Sequence, residues 1–222
     1  MKFVVIADSH GRHHHLKIPN GDVLIHAGDF TYRGKKSEVE DFLEWFQQQK
    51  HTYKIFIAGN HEFFFENEKP GIIDKIIPAD IIYLNDSGVV IENIHIWGSP
   101  ITPKFYNWAF NRTRGEDIRR HWDLIPETTD ILITHGPPKG ILDQVINDQN
   151  VGCRDLVEKI KTLKIKIHVF GHIHEAYGTT KAMGIRFFNA SVMNEQFELV
   201  NRPIVFEYPE LLTQELQEIS TR

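Results

Sequence analysis

Short runs of hydrophobic residues recur along the chain, and each has the length of a buried strand. Continuous Val, Ile and Phe segments suit a sheet that is covered on both faces, because a strand with one solvated face alternates apolar and polar residues. The runs therefore predict buried strands over residues 3–7, 23–27, 54–58, 130–134 and 166–170.

Amphipathic stretches between these runs predict helices on the outside of the sheets. The clearest helix has an apolar face made of Val39, Phe42, Leu43 and Phe46. Ser37 and Glu40 have the spacing of a capping box, which predicts the first turn of this helix. A second helical pattern covers residues 156–163. Near the C-terminus, a docked helix or a partner site is indicated by helical spacing of Leu211, Leu212, Leu216 and Ile219.

Strand patterns follow one another closely after residue 80. Residues 81–84, 89–92 and 95–98 predict a meander, and residues 186–189 and 204–207 add two more strands. The whole pattern predicts an α/β protein, a four-layer α/β/β/α sandwich of two mixed β-sheets with flanking helices. No Gly/Ser linker, Pro-rich tract or repeat divides the chain. We therefore expect a single domain over residues 1–222, in which residues 209–222 form a C-terminal tail or helix.

Composition and charge narrow the classes of function. The net charge of −5 gives no basic field for a nucleic-acid backbone, so we expect no extended nucleic-acid binding. The one cysteine, Cys153, cannot form an intrachain disulfide and is expected to be a structural thiol. The N-terminal apolar run is too short for a signal peptide, and no run approaches the ~20 residues of a membrane span. These features predict a cytoplasmic protein without membrane contact.

Carboxylates and imidazoles follow directly after the five predicted buried strands. In α/β sheets, side chains at the carboxyl ends of the strands gather around the ligand. Seven residues there have the oxygen and nitrogen atoms of metal ligands, and we call them the predicted ligands: Asp8, His10, Asp29, Asn60, His135, His172 and His174.

Seven side chains exceed what one ion can use. A pair of ions ~3.5 to 4 Å apart, sharing one carboxylate, would use them all and is an arrangement known in phosphoester hydrolysis. Asp29 is the predicted shared ligand. Nitrogen and oxygen donors without thiolate predict two divalent transition-metal ions, Mn²⁺ foremost, with Fe or Zn as alternatives. Two such ions, less two carboxylates and a hydroxide, leave about one positive charge for an anionic substrate.

The strand-end blocks resemble a known family when they are taken together. The blocks are Asp8-Ser9-His10, Gly28-Asp29, Gly59-Asn60-His61-Glu62, Thr134-His135-Gly136 and Gly171-His172-Ile173-His174. They resemble the calcineurin-like metallophosphoesterases, and with Asn189-Ala190-Ser191 they look like the metallophosphoesterase-domain-containing branch. The resemblance spans about residues 2–208 and implies the metallo-dependent phosphatase fold.

The resemblance also implies roles for individual residues. The first metal would take Asp8, His10, Asp29 and His174, and the second would take Asp29, Asn60, His135 and His172. His61 and Asp29 would be the catalytic residues, Asp29 as the shared metal ligand and His61 beside the substrate as proton donor or transition-state partner. The implied function is hydrolysis of a small phosphate ester by a metal-bound hydroxide. The branch favours a phosphodiester or nucleotide, with cyclic nucleotides among the candidates.

Two other functions compete with this interpretation. A regulatory protein of the same fold, with weak or no catalysis, would bind metal or nucleotide; here the set of predicted ligands is complete, which favours an enzyme. The chain length argues against a TIM-barrel metallohydrolase, because that fold typically needs ~250 residues and this chain has 222.

Residues beyond the ligand set have weaker signals. An aromatic and basic stretch between residues 106 and 114 could stack a base or fold over the core, and Arg112 and Arg114 within it are predicted to bind substrate phosphate together with Asn60 and His61. The run His13–His15 predicts a solvated loop rather than a metal site, since adjacent loop residues rarely face one point. Inside the strand patterns, structural roles are predicted for His26, His95 and His168.

Overall fold

Two β-sheets packed face to face form the centre of the computed structural model, which describes residues 1–209. Strands and helices are numbered in chain order. The first sheet contains β1 (Lys2–Ile6), β2 (Val23–Ala27), β3 (Tyr53–Ile57), β4 (Ile81–Tyr83) and β13 (Ile204–Glu207). Their order is β13-β1-β2-β3-β4, in which β1 to β4 are parallel and β13 is antiparallel to β1.

The second sheet has six strands. They are β5 (Ser87–Ile91), β6 (Ile94–Ser99), β9 (Ile131–Thr134), β10 (Ile167–Phe170), β11 (Gly178–Ala182) and β12 (Ile185–Asn189), in the order β11-β12-β10-β9-β6-β5. The four central strands are parallel, and the two edge strands, β11 and β5, are antiparallel to their neighbours. Two short strands, β7 (Thr102–Pro103) and β8 (Asn111–Arg112), pair separately.

Helices connect the strands. They are α1 (Lys36–Gln47), α2 (Phe63–Asn67), α3 (Pro70–Ile76), α4 (Glu116–Trp122) and α5 (Arg154–Ile160), with short 3₁₀ turns at His13–His15 and His174–Ala176. The first three lie in the connections of the first sheet, and α4 and α5 lie in those of the second. Within residues 1–209, none of the helices combines the length and apolar character needed to cross a membrane. The C-terminal helix predicted around Leu211 to Ile219 lies outside the described residues.

Buried strands send alternate side chains into two different apolar layers. In β1, Phe3 and Val5 belong to the layer between the sheets, whereas Val4 and Ile6 face the helices. The second sheet behaves alike, with Ile131 in the inner layer and Leu132 in the outer one. In these central strands both faces are covered, and their sequences are accordingly continuously apolar. The predicted sandwich of two mixed sheets with flanking helices is confirmed.

The predicted start of α1 is wrong. The helix begins at Lys36, one residue before the predicted cap Ser37. Glu38, and not Glu40, accepts the backbone N–H of the N-cap residue Lys35, at 2.9 Å. Glu38 also accepts the N–H groups of Tyr32 and Arg33, both at 3.1 Å, and so holds the loop that enters the helix. Glu40 instead pairs with Lys36 at 3.0 Å on the exposed face.

The predicted meander after residue 80 is also wrong. The strand β4 pairs with β3 in the first sheet, whereas β5 and β6 form a hairpin in the second. The hairpin turns at Glu92 and Asn93, whose φ angles are 48° and 65°. The connection between β3 and β4 explains the difference from the prediction. It contains α2 and α3, which carry the chain back across the first sheet, so that β4 pairs in parallel with β3.

Candidate metal centre

All seven predicted ligands meet where the carboxyl ends of the central strands of both sheets converge. The main chain joins the sheets there, since Ala7 at the end of β1 donates its N–H to the carbonyl of Ala190, after β12, at 2.8 Å. Side-chain ligand atoms lie within 4.8 Å of one another in three overlapping groups: Asp8 with His10 and His174, His10 with Asp29 and His61, and Asp29 with His135 and His172.

The loops that carry these side chains have an unusual backbone. Four predicted ligands have positive φ, namely Asp8 at 56°, His10 at 40°, Asp29 at 56° and His172 at 71°. Such a conformation is uncommon for residues other than glycine, costs about 1 to 3 kcal/mol, and persists only where the surroundings enforce it. Here the N–H of Asp8 bonds to the carbonyl of Gly28, and that of His10 to the carbonyl of Asp29, both at 3.0 Å.

Glycines in the motifs leave room for the carboxylates. A Cβ atom at Gly59 would collide with Oδ1 of Asp29, and one at Gly171 would collide with Oδ2 of Asp8. The loops therefore approach the carboxylates more closely than any side chain would permit.

One oxygen of the Asp29 carboxylate approaches two of the ligand imidazoles, those of His10 and His135. Its Oδ1 accepts the backbone N–H of His61 at 2.8 Å. Its Oδ2 lies 3.2 Å from Nε2 of His135 and 3.9 Å from Nε2 of His10. The second oxygen therefore lies between the imidazoles of His10 and His135.

Three imidazoles are oriented by the main chain. The carbonyl oxygens of Thr31, Ala27 and Asn194 lie against the Nδ1 atoms of His10 at 3.2 Å, His135 at 2.9 Å and His174 at 2.9 Å. A ring whose Nδ1–H donates to a carbonyl presents Nε2 as its lone-pair donor, which is the usual arrangement behind a metal-binding histidine.

Distances between donor atoms suit shared ions. Two donors that each lie ~2.0 to 2.2 Å from a metal are about 3 to 3.5 Å apart. The two Nε2 atoms of His10 and His174 are 3.3 Å apart, and Nε2 of His135 lies 2.9 Å from Oδ1 of Asn60. Oδ1 of Asp8 is buried without a hydrogen-bond partner, as expected of an oxygen that serves a cation. The residues present therefore fit divalent metal ions.

The electrostatics of the cluster favour the neutral, ligand form of two of its imidazoles. Burial lowers the pKa of His10 and of His172 to about 3, so both rings are neutral. Burial also lowers the pKa of His135, but the carboxylates of Asp29 and Asp8 and the carbonyl of Ala27 together outweigh it and raise the pKa to about 9. In the absence of a cation, a proton on His135 therefore balances the charge of Asp29.

Glu62 has an organising role that the sequence alone did not reveal. Its buried carboxylate accepts the N–H groups of Gly59 at 2.6 Å, Asp29 at 2.8 Å and Thr31 at 2.9 Å, and the hydroxyl of Thr31 at 2.8 Å. It thereby ties the loop after β2 to the loop after β3. In the sequence, one feature indicates this role: Glu62 is an acidic residue of the strand-end block Gly59-Asn60-His61-Glu62 that is not one of the predicted ligands.

Aromatic side chains surround the open side of the cluster. The ring of His61 stacks on Trp108 with centroids 4.4 Å apart, and its Nδ1 lies 2.7 Å from the carbonyl of Tyr32. Phe105 and Phe197 complete the cleft. His61 is therefore held in one orientation at the mouth of the cluster.

A larger cavity of about 690 Å³ adjoins this cleft and shares His172, Phe105 and Glu175 with it. Arg114 lies in its wall, where the guanidinium donates to the carbonyls of Val151 at 2.9 Å and Gly152 at 3.0 Å. Arg112 is placed elsewhere. It pairs with Glu66 at 3.2 Å and lines a separate cavity that contains none of the predicted ligands. The structure therefore brings Arg114, but not Arg112, beside the site.

Other histidines have structural surroundings. His26 and His168 are fully buried, and their Nε2 atoms lie 3.0 Å from Oγ of Ser9 and 2.8 Å from Oγ1 of Thr134. His95 is half-buried in β6.

The prediction of a solvated loop is wrong for His13. Its side chain is fully buried, because Phe42 and Trp45 of α1 cover it. His14 and His15 are exposed.

Replacing Glu62 by glutamine should loosen the cluster. Each oxygen of Glu62 accepts at least one backbone N–H, so an amide nitrogen in either position would face a donor. The expected cost is about 1 to 3 kcal/mol in the free energy of unfolding, with lower metal content. Denaturant unfolding and elemental analysis measure both. Glu66→Gln, which affects only the half-buried pair with Arg112, is the control and should cost less than about 1 kcal/mol. Equal costs would contradict the organising role.

Metal affinity should fall as the pH falls. An ion that binds Nε2 of His135 must displace a proton whenever the pH is below its pKa of about 9. His10 and His172 are already neutral and add no proton release near pH 7. The apparent affinity of one ion should therefore drop by about tenfold for each pH unit below that value. Calorimetric metal titrations in buffers of different ionisation enthalpy count the released protons. Binding without proton release would contradict this expectation.

Comparisons with known proteins identify the family. Residues 1–176 match the family model for calcineurin-like phosphoesterase. Two curated relatives from Homo sapiens and Mus musculus, both named metallophosphoesterase domain-containing protein 1, are each 42% identical over 94% of this chain and 71% of their own. A solved protein of Thermus thermophilus shares the fold with a TM-score of 0.57 at 11% identity, covering 85% of this chain and 88% of that one. The chain therefore belongs to the calcineurin-like phosphoesterases, a family of metal-dependent phosphoester hydrolases.

Proposed function

We propose that this protein is a dinuclear-metal phosphodiesterase that hydrolyses a small phosphodiester or nucleotide, cyclic nucleotides among the candidates. The observation that carries the proposal is the position of Oδ2 of Asp29, 3.2 Å from His135 and 3.9 Å from His10. One carboxylate oxygen that faces two ligand groups is the arrangement that a pair of ions requires.

The ligands divide into two groups around this oxygen. Asp8, His10 and His174 with Asp29 would hold one ion, and Asn60, His135 and His172 with Asp29 would hold the other. Mn²⁺ is the foremost candidate, with Fe or Zn as alternatives, since the donors are nitrogen and oxygen without thiolate. When bound, two such ions supply Lewis acidity toward a phosphoryl group and lower the pKa of water.

His61 supplies the proton for the leaving group in this proposal. The carbonyl of Tyr32 lies 2.7 Å from Nδ1, so Nε2 is the nitrogen left for the cleft. Stacking on Trp108 and an edge contact with His10, with centroids 4.5 Å apart, fix the plane of the ring. Because Nδ1–H is donated to the carbonyl of Tyr32, His61 acts here as the imidazolium, which would give its Nε2 proton to the departing oxygen and be left neutral. The predicted ligands would hold the metal ions that bind the phosphoryl group.

A diester is supported by the cavity that adjoins the cleft. A phosphodiester has a second ester arm that a monoester lacks, and a cavity of about 690 Å³ is large enough for an arm of nucleoside size. Phe105 and Tyr106 give this cavity apolar walls, and Arg114 and Lys104 give it positive charge. We propose Arg114 as the substrate-binding arginine, and we do not extend that role to Arg112 because of its pair with Glu66.

Turnover of matched aryl esters tests the function. With Mn²⁺, a bis-nitrophenyl phosphate should be hydrolysed with a kcat/KM at least about tenfold above that of the nitrophenyl monoester, and a chelator should abolish the reaction. Asp29→Asn should lose both metal and activity, whereas the control Glu66→Gln should keep both. A preference for the monoester would overturn the diester proposal. Bound metal without turnover of any ester would make the protein a regulatory binder of the same fold.

The contribution of His61 should depend on the leaving group. An alkoxide or ribose oxygen needs a proton in the transition state, and a nitrophenolate hardly does. His61→Ala should therefore keep its metals, lose about 10² to 10⁴ in kcat for an alkyl or nucleotide ester, and lose far less for a nitrophenyl ester. Kinetics with both esters and metal analysis of both proteins measure this. Equal losses would leave His61 an electrostatic contact only, and a loss of metal would make it a ligand.

A further inference from the structure

We infer that His13, His14 and Asp41 form a third metal site, separate from the seven predicted ligands, that binds one divalent transition-metal ion such as Zn²⁺. The two histidines lie in the 3₁₀ turn His13–His15, and Asp41 lies on α1. One ligand atom from each residue lies within 4.8 Å of the other two.

The distances around Asp41 suit a shared ion. Nε2 of His13 lies 3.1 Å from Oδ2, and Nε2 of His14 lies 3.1 Å from Oδ1. Donor atoms bound ~2.0 to 2.2 Å from one tetrahedral zinc are about 3.3 Å apart. Both imidazoles therefore place Nε2 beside one carboxylate, at the spacing of neighbouring ligands.

His13 provides a second observation. Its side chain is fully buried, and among the described residues the one polar contact of its ring is the 3.1 Å approach of Nε2 to Oδ2 of Asp41, with neither ring nitrogen in a hydrogen bond of good geometry. Four other described histidines each leave one buried ring nitrogen without a partner, whereas His13 leaves both. A buried polar group without a partner needs a physical explanation. An ion between the ring and the carboxylate would satisfy Nε2 of His13.

The site is rigid on one side and open on the other. The ring of His13 is fixed by Phe42 and Trp45, with centroids 5.6 Å and 5.0 Å away, so this ligand needs no reordering. The side chains of His14 and Asp41 are each 53% exposed, which leaves an entry path and room for a water ligand. Two imidazoles and one carboxylate with an open fourth position are a donor set typical of zinc.

Zinc stoichiometry tests the inference. The wild type, His14→Ala, Asp41→Asn and the control His15→Ala are equilibrated in a zinc buffer and analysed for metal and protein. His15 neighbours the cluster in sequence but is not one of the three residues whose ligand atoms converge, so His15→Ala should hold as much zinc as the wild type. His14→Ala and Asp41→Asn should each hold one ion fewer per chain, and a double variant should lose no more than either alone.

A second readout separates this site from the proposed metal pair. Zinc should raise the melting temperature of His15→Ala as much as that of the wild type, and should raise it less in His14→Ala, whose exposed side chain is not needed for folding. Equal zinc content in all the proteins would overturn the inference. A loss in Asp41→Asn but not in His14→Ala would also overturn it, because the two residues would then not share an ion.

Discussion

Two carboxylates buried at the meeting point of two apolar sheets set the physical constraint on which the structure depends. Asp8 is 0% exposed and Asp29 is 2% exposed, and an isolated buried charge would cost many kcal/mol. Asp29 is stabilised by His135 and by the N–H of His61, whereas one oxygen of Asp8 has no hydrogen-bond partner. A bound cation would offset the cost of burying this negative charge, and the residues present fit divalent metal ions.

The same constraint explains the loops around the cluster. Positive φ at Asp8, His10, Asp29 and His172 destabilises the chain locally, and the buried carboxylate of Glu62 would itself be costly without its backbone donors. Burial of two continuous apolar layers, one between the sheets and one under the helices, stabilises the fold and offsets the cost of these strained and buried polar groups. A rigid frame therefore holds a strained and highly polar edge in place.

Much of this arrangement could be predicted from the sequence, because its signals are local. An apolar run followed at once by a carboxylate or imidazole gives both a strand and the place where the strand ends. Contacts distant in sequence could not be predicted in this way. The pairing of β4 with β3, the cover of α1 over His13, the capture of Arg112 by Glu66 and the donors around Glu62 all depend on which side chains face each other after folding.

The division of the ligands between the two sheets affects the configurational entropy of the unfolded chain. Each proposed ion would draw ligands from loops of both the first and the second sheet, and the contact of His135 with Ala27 already joins positions 108 residues apart. A bond across so long a loop removes much of the configurational freedom of the unfolded chain. In a protein with a single cysteine, the metal pair would thus act as a reversible cross-link, joining the two halves of the fold as a disulfide does elsewhere.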